Sequence, residues 1–288
     1  QALAAGGQML PFEPPRFGDG GTIGGAVATG LSGPRRPYTG STRDFVLGVR
    51  IINGSRSFRL EVSKVQQDAA LQAAGIRTPH TIAVTGTEKL IEASKQMKTP
   101  FITKHNQGGK GLGIQLFESV DALQAWISDP QFDAGPGGKV ILQQYIQSPE
   151  PFITRVEIVG DRFLYAMRSN TSDGFELCPS DACQLNPSGG PEVCPADGPA
   201  SKFAPSPVTA DDPLVEKYIA MCAGEGLDLA GIEFVEDESG QRFTYDINGT
   251  TNYSGVFGQQ IGVDGMYEFA RHLRAEVEAK ATTTSAVA

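Results

Sequence analysis

Two groups of residues in this chain have the types and spacing to do chemistry together: lysines around a glycine loop, and carboxylates on a later strand. The first group lies within Pro100 to Gly113. Phe101-Ile102-Thr103 leads into Lys104, glycines follow at 108, 109, 111 and 113, and Lys110 sits among them. Ile114-Gln115-Leu116-Phe117 then reads as a returning strand. Glycine lets a backbone approach a ligand closely, and successive N–H groups in such a loop can cradle phosphate oxygens. A plain hairpin turn with solvated lysines has the same appearance. A Walker A loop is excluded because Lys110 is followed by Gly111 rather than Ser or Thr. A dinucleotide fingerprint is excluded because no third glycine follows Gly111-Leu112-Gly113.

The second group is acidic. Glu233 interrupts the apolar run Gly231-Ile-Glu-Phe-Val235, and Tyr245-Asp-Ile-Asn248 follows. Asp246 and Asn248 are two residues apart and share one face of a strand. If the two strands pair across a loop of even length, Glu233 points to that face too. Two carboxylates and an amide oxygen then converge, a hard-oxygen set that suits Mg²⁺. The alternative is the ordinary polar outer face of an edge hairpin.

Composition sets the frame. A chain of 288 residues holds one large domain or two small ones. Its net charge of −9 disfavours a general nucleic-acid wrapper but not nucleotide binding. No apolar run of membrane-spanning length and no secretion signal is visible, so a cytoplasmic protein is expected. The chain begins at Gln1 rather than Met, as a fragment would. The cysteines at 178, 183, 194 and 222 lack zinc-site spacing and read as reduced thiols. His80, His105 and His272 are too scattered for a histidine metal site.

The elements that must position these groups alternate between helices and hairpins, an α+β pattern. Helices are expected over 62–74, 87–98, 119–127, 212–223 and 264–280. Strands are expected over 81–84, 101–103, 114–117, 140–146, 153–159, 162–168, 229–236 and 241–248. Residues 169–212 read as a long loop of the kind that is usually functional or disordered. Residues 1–53 are a Gly/Pro-rich arm with one strand at 45–52.

Within that arm, Gly21-Thr-Ile-Gly-Gly-Ala-Val-Ala-Thr-Gly-Leu-Ser-Gly-Pro34 and Arg43-Asp-Phe-Val-Leu-Gly-Val49 resemble part of the flavin-binding domain of glycolate-oxidase-type flavoproteins. The resemblance stops near Asn53. That is too little chain to enclose FAD, so FAD is not expected as a cofactor. It gives one alternative function, a flavin-binding oxidoreductase fragment.

Residues 54–278 resemble an ATP-grasp ligase, nearest to the RimK-type α-L-glutamate ligases. The resemblance rests on an ordered set: Lys64, Lys104, the loop from Asn106 to Gly113, Gln143-Gln-Tyr-Ile146, Arg155, Arg168, Glu233, Asp246 and Asn248. It implies an ATP-grasp fold of two α+β lobes, the smaller about 54–138 and the larger about 139–278; the Thr/Ser/Ala composition of 279–288 separately predicts a disordered tail. It implies that Lys64 and Lys104 neutralise ATP phosphates, that Gln107, Gly108, Gly109, Lys110 and Gly111 close over them, and that Gln144, Tyr145 and Ile146 read the adenine. Glu150 is the candidate ribose ligand. Arg155 and Arg168 are the implied catalytic residues, and Glu233, Asp246 and Asn248 the implied ligands of Mg²⁺ or Mn²⁺.

The implied activity joins a carboxylate to an amine through an acyl phosphate, with glutamate or a similar amino acid added to a small-molecule, peptide or protein acceptor. No nucleic-acid or membrane partner is expected. The family's acidic residue is Gln144 here, and its leading domain is replaced by the arm. These departures make nucleotide binding without turnover the second alternative.

Overall fold

The computed structural model describes residues 51–108, 113–172, 203–251, 253 and 255–285, with two isolated positions at 27 and 37. The chain divides between Ile51 and Ile52, two residues before the expected boundary. Asn53 belongs to the second unit: its side-chain amide donates to the carbonyls of Leu229 and Gly249 at 2.8 and 2.6 Å. The 45–52 strand, apart from its last two residues, and the flavin-type motif, apart from Val27, fall outside the described residues.

The second unit begins with α1 (Ser55–Glu61), where no helix is expected, and α2 (Lys64–Ala73), which lies within the helix expected over 62–74. Ser63 divides them. Its extended backbone breaks the first helix, and its hydroxyl accepts from the Gln66 N–H to cap the second. Lys64 is thereby the first residue of α2.

Next come β1 (Thr81–Thr85), α3 (Thr87–Ser94), β2 (Phe101–His105), β3 (Gln115–Phe117), α4 (Val120–Ile127) and β4 (Lys139–Gln144). The strands form an antiparallel sheet in the order β1-β4-β2-β3. Phe101, Phe117 and Leu142 pack there against Leu90 of α3 and Leu123 of α4.

A second antiparallel sheet has the order β7-β6-β5-β8-β9. It comprises β5 (Phe152–Val159), β6 (Arg162–Asn170), β7 (Phe203–Pro205), β8 (Leu229–Glu236) and β9 (Arg242–Asn248). One face, bearing Val156, Ala166, Ile232 and Ile247, buries against Leu60 of α1, Leu71 of α2 and Tyr218 and Cys222 of α5 (Pro213–Glu225). Asp212 caps α5, and Gly226 ends it in the left-handed region. Burial pushes the Cys222 thiol up to about 12, which marks it as a core residue; the other three cysteines fall outside the described residues.

The chain is divided between the sheets differently from the expected lobes. β4 completes the smaller sheet although it lies beyond residue 138. Leu60, Leu71 and Ile76, expected in the smaller lobe, sit in the core of the larger sheet. The apolar faces of α1 and α2 decide this, since both helices pack against β9 and their Leu60 and Leu71 share a core with Ile232, Ile247 and Tyr218. Two helices close the unit, α6 (Gly255–Ile261) and α7 (Gly265–Ser285). The first was not expected, because its glycines argue against a helix. The second runs through Ser285 into the expected disordered tail, as helix propagation needs one hydrogen bond per added residue. Among the described residues no helix is long and apolar enough to cross a membrane.

Candidate active site

The site lies where α2 and the smaller sheet meet the polar face of the larger sheet. Strand alternation sends Ile232 and Phe234 into the core and leaves Glu233 on the other face. The turn after β8, residues 237–241, is odd in length, which alone would put Tyr245 opposite Glu233 and turn Asp246 inward. A β-bulge corrects this. Phe234 pairs with Thr244, but Glu233 pairs with Asp246, so Tyr245 is the extra residue. Tyr245 turns to the same region, and its hydroxyl donates to Glu233 Oε2 at 3.3 Å. Asn248 pairs with Gly231 on the face that carries Asp246.

Across β5, Arg155 is the ladder partner of Glu233. Its Nη1 donates to Glu233 Oε1 at 2.9 Å, its Nε to Glu157 Oε1 at 2.6 Å and its Nη2 to Thr251 Oγ1 at 2.8 Å. Thr251 in turn donates to Glu157 Oε2 at 2.7 Å. Thr251 is held in place through its neighbour, because Glu61 accepts from both the N–H and the hydroxyl of Thr250. Gly231 has no side chain to obstruct the guanidinium, which lies directly over it.

Lys64 is brought to this face by two anchors. Gln67, one turn further along α2 and 1% exposed, exchanges hydrogen bonds with the backbone of Ile247 at 2.9 and 3.0 Å. Asn106, which follows β2, accepts through its carbonyl from the Lys64 N–H and through its side chain from the Val65 N–H. The Lys64 ammonium consequently pairs with Asp246. Asn106 also fixes the end of β2, so Lys104 enters from the smaller sheet with its Nζ 5.8 Å from the centre of the Tyr245 ring. Lys64, Asp68, Lys104, Gln143 and Tyr245 line one hollow between the sheets. Asp68 Oδ1 is buried there without a hydrogen-bond partner among the described residues.

The electrostatics follow from crowding like charges in a buried place. Burial, reinforced by neighbouring Lys64, lowers the Lys104 ammonium to about 8. Burial and then Asp246 push the Glu233 carboxyl up. Burial acts on Asp246 in the same sense, but Lys64, with Lys104 and Arg155 behind it, holds that carboxyl below its ordinary value. Burial and then Glu233 push the Tyr245 phenol up.

Other expected residues are placed less uniformly. Arg168 is on the opposite face from Arg155, since it pairs with Thr154 while Arg155 pairs with Met167. Its guanidinium stacks on Phe152 at 4.0 Å, and its nearest carboxylate, Glu150, is exposed and 3.9 Å away. Gln144 is tied to His80: its N–H donates to the His80 carbonyl, and its side chain accepts from the His80 N–H. Tyr145 and Ile146 follow, half-buried, while Gln107 and Gly108 are exposed. Gly109, Lys110 and Gly111 fall outside the described residues. Sequence reasoning missed Glu157, Gln67, Tyr245 and Thr251. Only Glu157 left a signal, a second charge two positions from Arg155 inside an apolar strand.

The donor chemistry fits a hard divalent cation. Among the described residues no group of three His, Cys, Asp or Glu side chains is placed to hold a metal ion. Glu233, Asp246 and the Asn248 amide are instead two carboxylates and a neutral oxygen, and Mg²⁺ takes one or two carboxylates beside phosphate and water. Burial and then the charge of Asp246 raise Glu233, and a cation there would relieve both.

Comparisons with known proteins bear on the fold that carries this site. Residues 62–176 match the RimK-like ATP-grasp domain, and residues 1–56 match the FAD binding domain. Over residues 62–176 the chain is thus similar to RimK-like ATP-grasp domains. A probable alpha-L-glutamate ligase of Xanthomonas oryzae pv. oryzae (strain MAFF 311018) is 24% identical over 238 residues, 82% of this chain and 72% of that one. The structure of the ATP-grasp ligase PsnB with a phosphomimetic precursor variant, Mg and ADP superposes with a TM-score of 0.54 at 15% identity, over 80% of this chain and 63% of that one. The glycolate oxidase subunit GlcE of Escherichia coli (strain K12) is 65% identical over 54 residues, 19% of this chain but only 15% of that protein. ATP-grasp therefore describes the fold of the second unit, and the flavin-domain match is confined to the start of the chain.

Proposed function

We propose that the ATP-grasp domain is an ATP- and magnesium-dependent carboxylate–amine ligase. A substrate carboxylate takes the γ-phosphoryl group of ATP, releasing ADP. An amine then attacks the carbonyl carbon of the acyl phosphate, the C–N bond forms, inorganic phosphate leaves, and the nitrogen sheds its proton. Lys64 and Lys104 neutralise the triphosphate as point charges. Arg155, pinned on two sides, stabilises charge on the transferring group without reorganising. Glu233, Asp246 and Asn248 would hold magnesium, which supplies charge neutralisation at the phosphate oxygens when bound. The protein's contribution is positioning and electrostatics, with no covalent protein intermediate.

The observation that carries this reading is the pairing of Lys64 with Asp246 and of Arg155 with Glu233. Cations suited to phosphate and carboxylates suited to metal meet at one place. The glutamate-ligase relative supports glutamate or a similar amino acid as a substrate. Calorimetry with ATP, with and without Mg²⁺, and ADP release with glutamate and an amine acceptor test it. A protein with no magnesium-dependent ATP binding is not this ligase.

Tight ATP binding with no ADP for any acceptor supports the second reading, nucleotide binding without turnover. The engagement of Gln144 by His80 favours that reading, because it occupies groups expected to face adenine. The flavin-domain match has its own test, since a purified protein that binds flavin is yellow.

A further inference from the structure

Among the described residues, Glu157 is the one fully buried carboxylate at this site that neither the phosphate nor the metal chemistry uses. It lies one row along the sheet from Asp246, Glu233 and Arg155. Its ladder partners are Gly231 on one side and Tyr165 on the other. Arg155 and Thr251 give it one hydrogen bond on each oxygen, and a carboxylate can accept about four.

Beside it, Tyr165 is 5% exposed, and its hydroxyl is buried with no hydrogen-bond partner among the described residues. The Tyr253 hydroxyl is in the same condition. The two rings belong to one apolar cluster with Met167 and Phe257. After burial, Glu157 is the next influence pushing both phenols up, so both lie within reach of its charge. Two buried phenols left unpaired beside a carboxylate are costly unless a ligand completes them.

We propose that Glu157, Tyr165 and Tyr253 form the seat of the incoming amine, which they receive as an ammonium group. An ammonium carries three N–H donors and no acceptor. Here it meets three acceptors: the carboxylate and two phenol oxygens. The seat is one row along the sheet from Arg155 and Glu233, and Glu157 takes one proton from the bound ammonium, which leaves the neutral amine the lone pair with which it attacks the acyl phosphate. Its ligand class is a primary aliphatic amine, which includes the amino group of an amino acid. This inference rests on the ligase reading for its place in the reaction, but the seat itself can be tested separately.

The test uses the full chain and the double variant Tyr165→Phe/Tyr253→Phe, which removes two oxygens and no described hydrogen bond. N-acetyl-glutamate is the carboxylate, and the nucleophiles are ethylamine, a cation near neutral pH, and hydroxylamine, which is largely uncharged there. The variant is expected to raise KM for ethylamine about tenfold or more, while hydroxamate formation stays within about twofold. An unchanged ethylamine KM overturns the proposal. So does an equal fall in both reactions, which would make the tyrosines supports for Arg155.

Absence of hydroxamate from the unmodified protein counts against the ligase reading and leaves the seat to a second measurement. Ethylammonium chloride should raise the melting temperature of the unmodified protein and not that of the variant. Equal shifts, or none in either protein, overturn the seat.

Discussion

Lys64 pairs with Asp246, 182 residues further along the chain, and so joins the first turn of α2 to the last strand of the larger sheet. In this state the ammonium that would meet phosphate neutralises a carboxylate that would meet metal. Binding of MgATP must exchange the pair, giving the carboxylate to the cation and the lysine to the phosphate. ATP and Mg²⁺ are therefore expected to bind with strong mutual dependence. Asp246→Asn should free Lys64, so that metal-free ATP binds at least about threefold more tightly, while the gain from adding Mg²⁺ falls. Calorimetric titrations of both proteins check this; weaker metal-free binding in the variant would contradict it.

Arg155 is set against two buried carboxylates, Glu157 and Glu233. Truncating it as Arg155→Met leaves both unpaired, and breaking a buried pair this way costs about 3–5 kcal/mol. Urea denaturation should show a loss of that order. Arg155→Met/Glu157→Gln should recover part of it, because one of the stranded charges is gone. A double variant no more stable than the single would mean that Glu157 is not stabilised by Arg155.

Lys104 gives a pH dependence whose sign can be worked out. Its ammonium is lowered to about 8 in the fold, from 10.5 for an unperturbed lysine, first by burial and then by Lys64. Between those values the unfolded chain holds a proton that the folded chain has released, so stability rises with pH across that window. Below about 8 the fold carries the full cost of a buried ammonium, on the order of 3 kcal/mol from the size of the shift. Lys104→Met should accordingly melt higher than the unmodified protein at pH 7 without nucleotide, while losing ATP affinity. The two melting temperatures should converge as pH rises toward 10.

Much of this site was legible because strands alternate with a period of two. Glu233 stands out against Ile232 and Phe234 for that reason, and Lys104 stands at the end of an apolar strand beside glycines. Whether Asp246 joined Glu233 was not legible. The odd turn and the bulge at Tyr245 are two parity changes that cancel, and only the hydrogen-bond ladder reveals either. Arg168 was misplaced for the same kind of reason. Register, not residue type, puts it on the face opposite Arg155. Gln67 reads as a surface glutamine on a helix, and only the approach of Ile247 makes it a buried bridge. β4 could not be assigned to a sheet from sequence, since its partners β1 and β2 are remote.

Gly231 offers a way to move Arg155 without removing any of its partners. A methyl group added there meets the Nε, Cζ and Nη2 atoms of Arg155, which is the flexible end of a side chain rather than backbone. Gly231 does not have positive φ, so alanine brings no backbone strain. The guanidinium must shift while Glu157, Glu233 and Thr251 all remain in reach. A displacement near 1 Å at a positioning group costs about 10²-fold in rate. Gly231→Ala is expected to lose about that much in kcat, with stability changed by no more than ~1–2 kcal/mol and nucleotide affinity nearly unchanged. Steady-state kinetics beside urea denaturation separate the two effects. A variant that is destabilised yet fully active would show that the placement of Arg155 over β8 serves the fold rather than the reaction.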